Sequence, residues 1–153
     1  MANAFFEVPL ATNEPILTYA PGSAEKAALK AAIKAFKSTT QDIPMTIGGK
    51  KIVSDKRLAI HPPHETQHLL GYFYKADGIH VKMAIDAALA AKKDWENMPW
   101  QDRAAIFLKA ADLLAGPYRA KMNAATMLGQ SKNVFQAEID SVAELADFWR
   151  YNV

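Results

Sequence analysis

MAIDAALAAKKDWENMPWQDRAAIFLKAADLLAG, residues 83–116, holds two helical patterns back to back, and the rest of the chain is read outward from them. Val81, Ile85, Ala88 and Leu89 share one stripe at helical spacing, with Trp95 near its end, and Asp77 stands where an N-cap is expected. Asn97-Met98-Pro99 closes that helix, because a proline disfavours helical geometry in the residue before it. A second helix is predicted over Trp100–Ala115, placing Phe107, Ala110, Ala111 and Leu114 on one side, until Gly116-Pro117 interrupts it. Pro117 then suits the first turn of a following helix, with Gly129 as its C′ residue. Ser131 is expected to cap a last helix running without a break to Asn152.

Upstream the periodicity changes. Ser23 and Glu25 predict a helix start, and Leu29, Ile33 and Phe36 then recur on one face with Lys26, Lys30, Lys34 and Lys37 elsewhere. From Ile43 the reading is of short antiparallel strands: Pro44–Ile47, a Gly48-Gly49 turn, Lys50–Val53, Arg57–Ile60 and Gln67–Lys75. Before all of these, Met1–Pro21 is rich in Pro, Asn and Thr, shows no sustained period, and reads as an extended arm lying on a neighbouring surface. The expected organisation is an arm over 1–22, an amphipathic helix over 23–42, a strand segment over 43–76 and a helical segment over 77–153, together one incomplete domain of mixed α/β class. The last helix lacks a glycine stop, a proline or a basic tail, which gives the chain the look of a cut piece.

Composition excludes several function classes. Half of the 153 residues are hydrophobic and 22% are charged, so a packed core is affordable and disorder is not the dominant character. A formal charge of +2, from 18 Lys+Arg against 16 Asp+Glu, gives no strong field, so neither nucleic acid nor an anionic membrane is an expected partner. Cysteine is absent, which removes thiolate ligands and thiol nucleophiles together. The first 25 residues contain no Lys or Arg, so neither a secretory n-region nor an Arg-rich presequence is read there. The compartment expected is the cytoplasm, with the mitochondrial matrix as the alternative for a processed eukaryotic form.

Candidate chemistry is sparse. His61, His64 and His68 cluster in HPPHETQH, but Pro62 and Pro63 prevent the helix that would bring their side chains to one face, so a polar turn is read and no metal site. The seven glycines make no phosphate-binding spacing, and no Gly-x-Ser-x-Gly elbow is present. Trp95, Trp100, Trp149, Phe107 and Phe135 read as core or interface. The last helix holds the one anomaly. At about 100° per residue, Val134, Val142, Leu145 and Trp149 form an apolar stripe with Glu138 in its middle, while Gln136, Asp140 and Asp147 fall opposite and Glu144 lies at that side's margin. A carboxylate in an apolar stripe must meet a cation, a polar network or a solvent-filled channel, since burying it unpaired is costly. An ion pair with Arg or Lys and a carboxylate facing a ligand amine are both open readings.

Three stretches carry a family resemblance: NEPILTYAPGSAEKAALKAAI at 13–33, AIDAALAAKKDWENMPWQDRAAIFLKAADLL at 84–114, and MLGQSKNVFQAEIDSVAELADFWRYN at 127–152. They resemble the N-terminal part of an aldehyde dehydrogenase, and within that family the branch that oxidises glutamate semialdehyde to glutamate in proline degradation. The resemblance implies helices that pack on a Rossmann-like sheet absent from this chain, a cysteine nucleophile, NAD and a general-base glutamate all held beyond Val153, a small-molecule substrate, and a homo-oligomer. No catalytic, cofactor or metal residue is then expected among these 153, and the chain alone is expected to be inactive. For substrate binding the resemblance favours Glu144, matched to the glutamate associated with the substrate's amino group, beside the Glu138 singled out by the helical wheel. It also implies a glycine where Ser131 stands. A different class of reading is a non-enzymatic helical module that binds a partner protein through exposed apolar stripes.

Overall fold

The computed structural model describes residues 4–153. After the arm come helix α1 (Ala24–Lys37), strands β1 (Gln41–Ile43), β2 (Met45–Ile47), β3 (Lys50–Ile52), β4 (Arg57–Ile60) and β5 (Gly71–Tyr74), and helices α2 (Gly78–Asn97), α3 (Trp100–Ala115) and α4 (Arg119–Gln130). The last helical segment has three parts: α5 (Val134–Ala137), a π-helical stretch (Glu138–Ala143) and α6 (Glu144–Tyr151).

The expected starts of α1, α2 and α3 hold. Ser23 accepts from the Lys26 N–H, and Asp77 accepts from the Ile79 and His80 N–H groups, with the His80 ring completing a capping box. α1 stops at Lys37, short of position 42, because the Ser38 N–H bonds back to Lys34 and Ala35 and the chain then turns into β1. The strands are not all antiparallel. β2 and β3 form the hairpin about Gly48-Gly49, whereas the other sheet has the order β1-β5-β4, with β1 parallel to β5 and β4 antiparallel to it. A parallel pair needs a long connection, and the hairpin together with β4 supplies it. The segment read as a strand over Gln67–Lys75 pairs only at Gly71–Tyr74; before it, His68 is held in a turn by its N–H to the Glu65 carbonyl.

The C-terminal third departs further from expectation. Pro117 lies before α4, which opens at Arg119 with Tyr118 at the N-cap. Gly129 is inside α4, and the left-handed residue that ends the helix is Ser131, at φ 57°. A serine is strained there, and its hydroxyl is bonded to the His64 ring (2.8 Å). The cap of the next helix is Asn133 and not Ser131: its side chain accepts from the Gln136 N–H while the Gln136 side chain accepts from the Asn133 N–H. Asn-x-x-Gln is a capping-box spacing that the sequence displays.

Two apolar clusters hold these elements together. Ala111 and Leu114 of α3 pack against Val142 and Ala146, with Leu145 and Trp149 beside them. Tyr19 of the arm, Leu29 of α1 and Ala124 of α4 form the other, flanked by Leu17, Ile33, Phe36 and Val134. Residues 14–19 of the arm thus lie on the chain's own helices, whereas residues 4–10 are exposed and the arm's first three residues lie outside the described ones. α2 buries no residue at all, and Ile79, Val81, Ile85 and Leu89 are exposed. Of the aromatics expected in core or interface, Trp149 packs on the first cluster, whereas Trp95 and Phe107, which meet edge-on at 6.4 Å, are exposed, as are Trp100 and Phe135. No helix of the described residues is long and apolar enough to cross a membrane.

Gly71 is the tightest point of the sheet, since a Cβ there would lie 2.3 Å from the Gln41 carbonyl oxygen, the parallel partner across β1. Gly71→Ala is expected to destabilise the protein by about 1–3 kcal/mol, the usual cost of forced overpacking. Urea unfolding measures it, and hydrogen exchange should show the loss concentrated at the β1 amides.

Candidate functional site

The arm and the last helical segment enclose a polar network beside an open cleft. Glu138 is completely buried. Its carboxylate accepts from Arg119 through Nη2 and through Nε at 3.0 Å, from Asn123 Nδ2 (2.7 Å), from the Tyr19 hydroxyl (2.6 Å) and from the Leu17 N–H (2.9 Å). Sequence logic asked whether this acid meets a cation or a channel, and the geometry answers with the cation: every approach to the carboxylate is taken by a protein donor. Burial of an ion pair is costly unless both members are saturated with hydrogen bonds, and here they are. Arg119 also reaches Glu14 (2.5 Å) and the Pro15 carbonyl (2.6 Å), and Glu14 is shared with Arg150 (2.7 Å). Two carboxylates are thereby balanced by two guanidinium groups.

The electrostatics follow from these contacts. Burial pushes the Glu138 carboxyl up, but Arg119, Tyr19, the Leu17 amide and Asn123 outweigh it and hold it below the usual carboxylate range. Burial, then the hydrogen bond to the Glu138 carboxylate, pushes the Tyr19 phenol up to about 12. Arg119 is likewise raised: burial acts to lower it, and the two glutamates overcome that effect.

Along the same helix, Asp147 is tied to the arm by the Glu14 N–H (2.7 Å) and by Asn13 Nδ2 (2.8 Å). An uninterrupted α-helix would put Asp147 on the side opposite Glu138, as the wheel expected; the π-helical stretch between them changes the rotation, and both acids bond the arm. Between arm and helix lies a cleft of about 710 Å³ lined by Asn13, Glu14, Ile16, Ile139, Ala143, Glu144, Asp147, Phe148 and Tyr151. Three carboxylates reach its wall. Glu14 and Asp147 are engaged by the network, while Glu144 is exposed and makes no ion pair among the described residues. The structure therefore separates the two expected site residues: Glu138 inside the network, Glu144 on the cleft.

Sequence reasoning missed Arg119, Asn123, Tyr19 and Glu14, whose positions in the chain carry no local pattern. The histidines are used in loop structure: the His61 ring is bonded to the His68 carbonyl (2.9 Å) and His64 to Ser131. Among the described residues no group of three or more His, Cys, Asp or Glu is placed to hold a metal ion. α2 does follow a strand, but the Asp77 carboxylate already occupies its first N–H groups, so that helix start does not fit a dinucleotide phosphate.

Comparison with known proteins agrees with these elements. The aldehyde dehydrogenase family matches residues 52–153. The delta-1-pyrroline-5-carboxylate dehydrogenase of Agaricus bisporus is 49% identical over 151 residues, covering 98% of this chain and 28% of that protein. The mitochondrial enzyme of the same name from Homo sapiens is 47% identical over 141 residues, covering 92% of this chain and 25% of that protein. The crystal structure of the delta-pyrroline-5-carboxylate dehydrogenase from Mycobacterium tuberculosis bound with NAD superposes with a TM-score of 0.96 at 46% identity, over 99% of this chain and 28% of that one. The chain belongs to the aldehyde dehydrogenase family, and it spans about a quarter of the length of the curated relatives it matches.

The raised Tyr19 phenol makes stability depend on pH in a definite direction. A group whose folded pKa is above its unfolded one stabilises fully below the unfolded value, here 10.0, and that contribution is lost as pH rises through about 12. Glu138 acts oppositely, its contribution being present above the ordinary 4.5 and lost as pH falls through its depressed value. Urea midpoints against pH should fall between pH 10 and 12 in the parent protein, and that part of the fall should be absent in Tyr19→Phe.

Proposed function

We propose that these residues are the N-terminal part of an NAD-dependent 1-pyrroline-5-carboxylate dehydrogenase, which oxidises glutamate semialdehyde to glutamate in proline catabolism. The observation that carries the reading is Glu144, an unengaged carboxylate on a cleft whose other walls include Ile16, Ile139 and Phe148. Such a cleft suits a short aldehyde carrying an ammonium group. Apolar walls take the carbon chain, and the carboxylate gains a charge-assisted hydrogen bond from the amine. Asp147 and Glu14 cannot serve equally, because their oxygens already accept from the arm and from arginines.

The role of this chain is then selection and not bond-making. It has no cysteine to form a thioester, and the Asp77-capped start of α2 does not fit the cofactor's phosphates, so nucleophile and NAD are assigned to residues outside these 153. NAD supplies the hydride acceptor when bound there. The arm, α1, the strand segment and the helical segment over 77–153 form one domain that the remaining sequence completes, and the exposed apolar stripe of α2 supports that view. The assembled protein is a homo-oligomer acting on a small molecule. Of the two compartments expected from sequence, the human relative's name, which reads mitochondrial, supports the mitochondrion over the cytoplasm.

Kinetics of the full-length protein test the reading. The parent should reduce NAD with glutamate semialdehyde. Glu144→Gln should lower kcat/KM for that substrate by about 10- to 100-fold, the value of one charge-assisted hydrogen bond. Turnover of an uncharged aliphatic aldehyde of similar length should change less than about two-fold. Equal losses on both would exclude a role for Glu144 in recognising the ammonium group.

A further inference from the structure

We infer that Glu138, strapped to the arm, is a positioning residue: it holds the π-helical turn over Glu138–Ala143 and thereby aims Glu144 into the cleft. The inference rests on the reading of Glu144 as the ammonium-binding carboxylate and names the device that places it.

The geometry starts from the arm. Within four consecutive residues it bonds the helix at two levels, through the Glu14 N–H to Asp147 and through the Leu17 N–H to Glu138. Glu138 and Asp147 are nine positions apart, so on an unbroken α-helix they would project about 180° from one another, and one extended strand could not reach both. A π turn closes its ring with one extra residue, i to i+5, which removes about 100° of rotation from everything that follows. The two acids then project about 80° apart, both accessible to the arm. Arg150, twelve positions after Glu138, moves from about 120° to about 20° from it by the same reckoning. That brings Arg150 into line with the carboxylate whose partner, Arg119, shares Glu14 with it.

The burial pattern repeats this rotation. Ala137 and Glu138 are buried, then Val142 and Ala143 five positions later, then Ala146. The step of five followed by steps near four is that of a π turn giving way to α6. It leaves Ile139, Ala143, Glu144, Asp147, Phe148 and Tyr151 along the cleft. Were the turn to relax to an α-helix, Glu144 would swing by about 100°, away from that cleft. Retention of the π turn has a cost in helical hydrogen bonding, and the saturated Glu138 carboxylate at its start, with Asp147 beyond its end, supplies the contacts that offset it.

Full-length protein with Glu138→Gln, Glu144→Gln, both together, and Tyr19→Phe tests this. Tyr19→Phe removes one donor and leaves the ion pair, which keeps the test open if Glu138→Gln folds poorly. Each is assayed with glutamate semialdehyde and with an uncharged aldehyde. Glu138→Gln is expected to raise KM for the semialdehyde by about three- to ten-fold with kcat little changed, Tyr19→Phe to do the same more weakly, and both to leave the uncharged aldehyde within about two-fold. In the Glu144→Gln background the selective effect of Glu138→Gln should vanish, because it acts through Glu144. Equal losses on both substrates, or a selective loss that persists without Glu144, would overturn the inference. A crystal structure of Glu138→Gln, or of Tyr19→Phe if the first does not fold, separates the two layers. If Glu144→Gln proves unselective, the substrate reading fails. Positioning is still decided by that structure: a shifted turn with Glu144 rotated out of the cleft supports it, and an unchanged turn refutes it.

Discussion

A buried carboxylate organises this chain. Glu138 has no access to solvent, so its charge has to be met by protein groups, and meeting it draws together three regions distant in sequence: Leu17 and Tyr19 from the arm, Arg119 and Asn123 from α4, and the last helical segment itself. Taking two charges out of water is expensive, and a single contact does not repay it. Four donor groups do, and the second guanidinium pair through Glu14 balances the remaining charge. An arm of low intrinsic order thereby becomes a fixed wall.

That wall has a consequence for binding. A segment without a regular element of its own has little to hold it, because fixing each residue costs about 1–2 kcal/mol of conformational entropy. Here residues 13–19 are held by the ionic network and by Tyr19 in the second apolar cluster, and they form one side of the cleft that Glu144 faces. On the proposed reading of Glu144, selection of a charged substrate and docking of the arm would rest on one set of interactions. The π-helical stretch is where the two demands meet: it lets one helix present Glu138 inward, Asp147 to the arm and Glu144 to the cleft.

Elsewhere the helices differ in how much of their apolar surface is covered. α3, α4 and the last helical segment bury small residues against one another, whereas α2 keeps a full apolar stripe exposed. A stripe of that size is a packing surface.

Much of this was legible in the sequence, because local chemistry dictates it. Ser23 and Asp77 cap helices with their own side chains, Pro99 separates α2 from α3, Gly48-Gly49 turns the hairpin, and Glu138 is visibly misplaced among apolar residues. The absence of cysteine alone removed thiol catalysis from these residues. What tertiary structure decided was which groups answer that misplaced charge, and at what rotation. Tyr19 and Glu138 are 119 positions apart, and no local signal pairs them. The wheel failed beyond Glu138 because a period of 3.6 is a property of an α-helix left to itself. Contacts with a distant strand made a wider turn worth forming, and a period imposed from outside the segment cannot be read from within it.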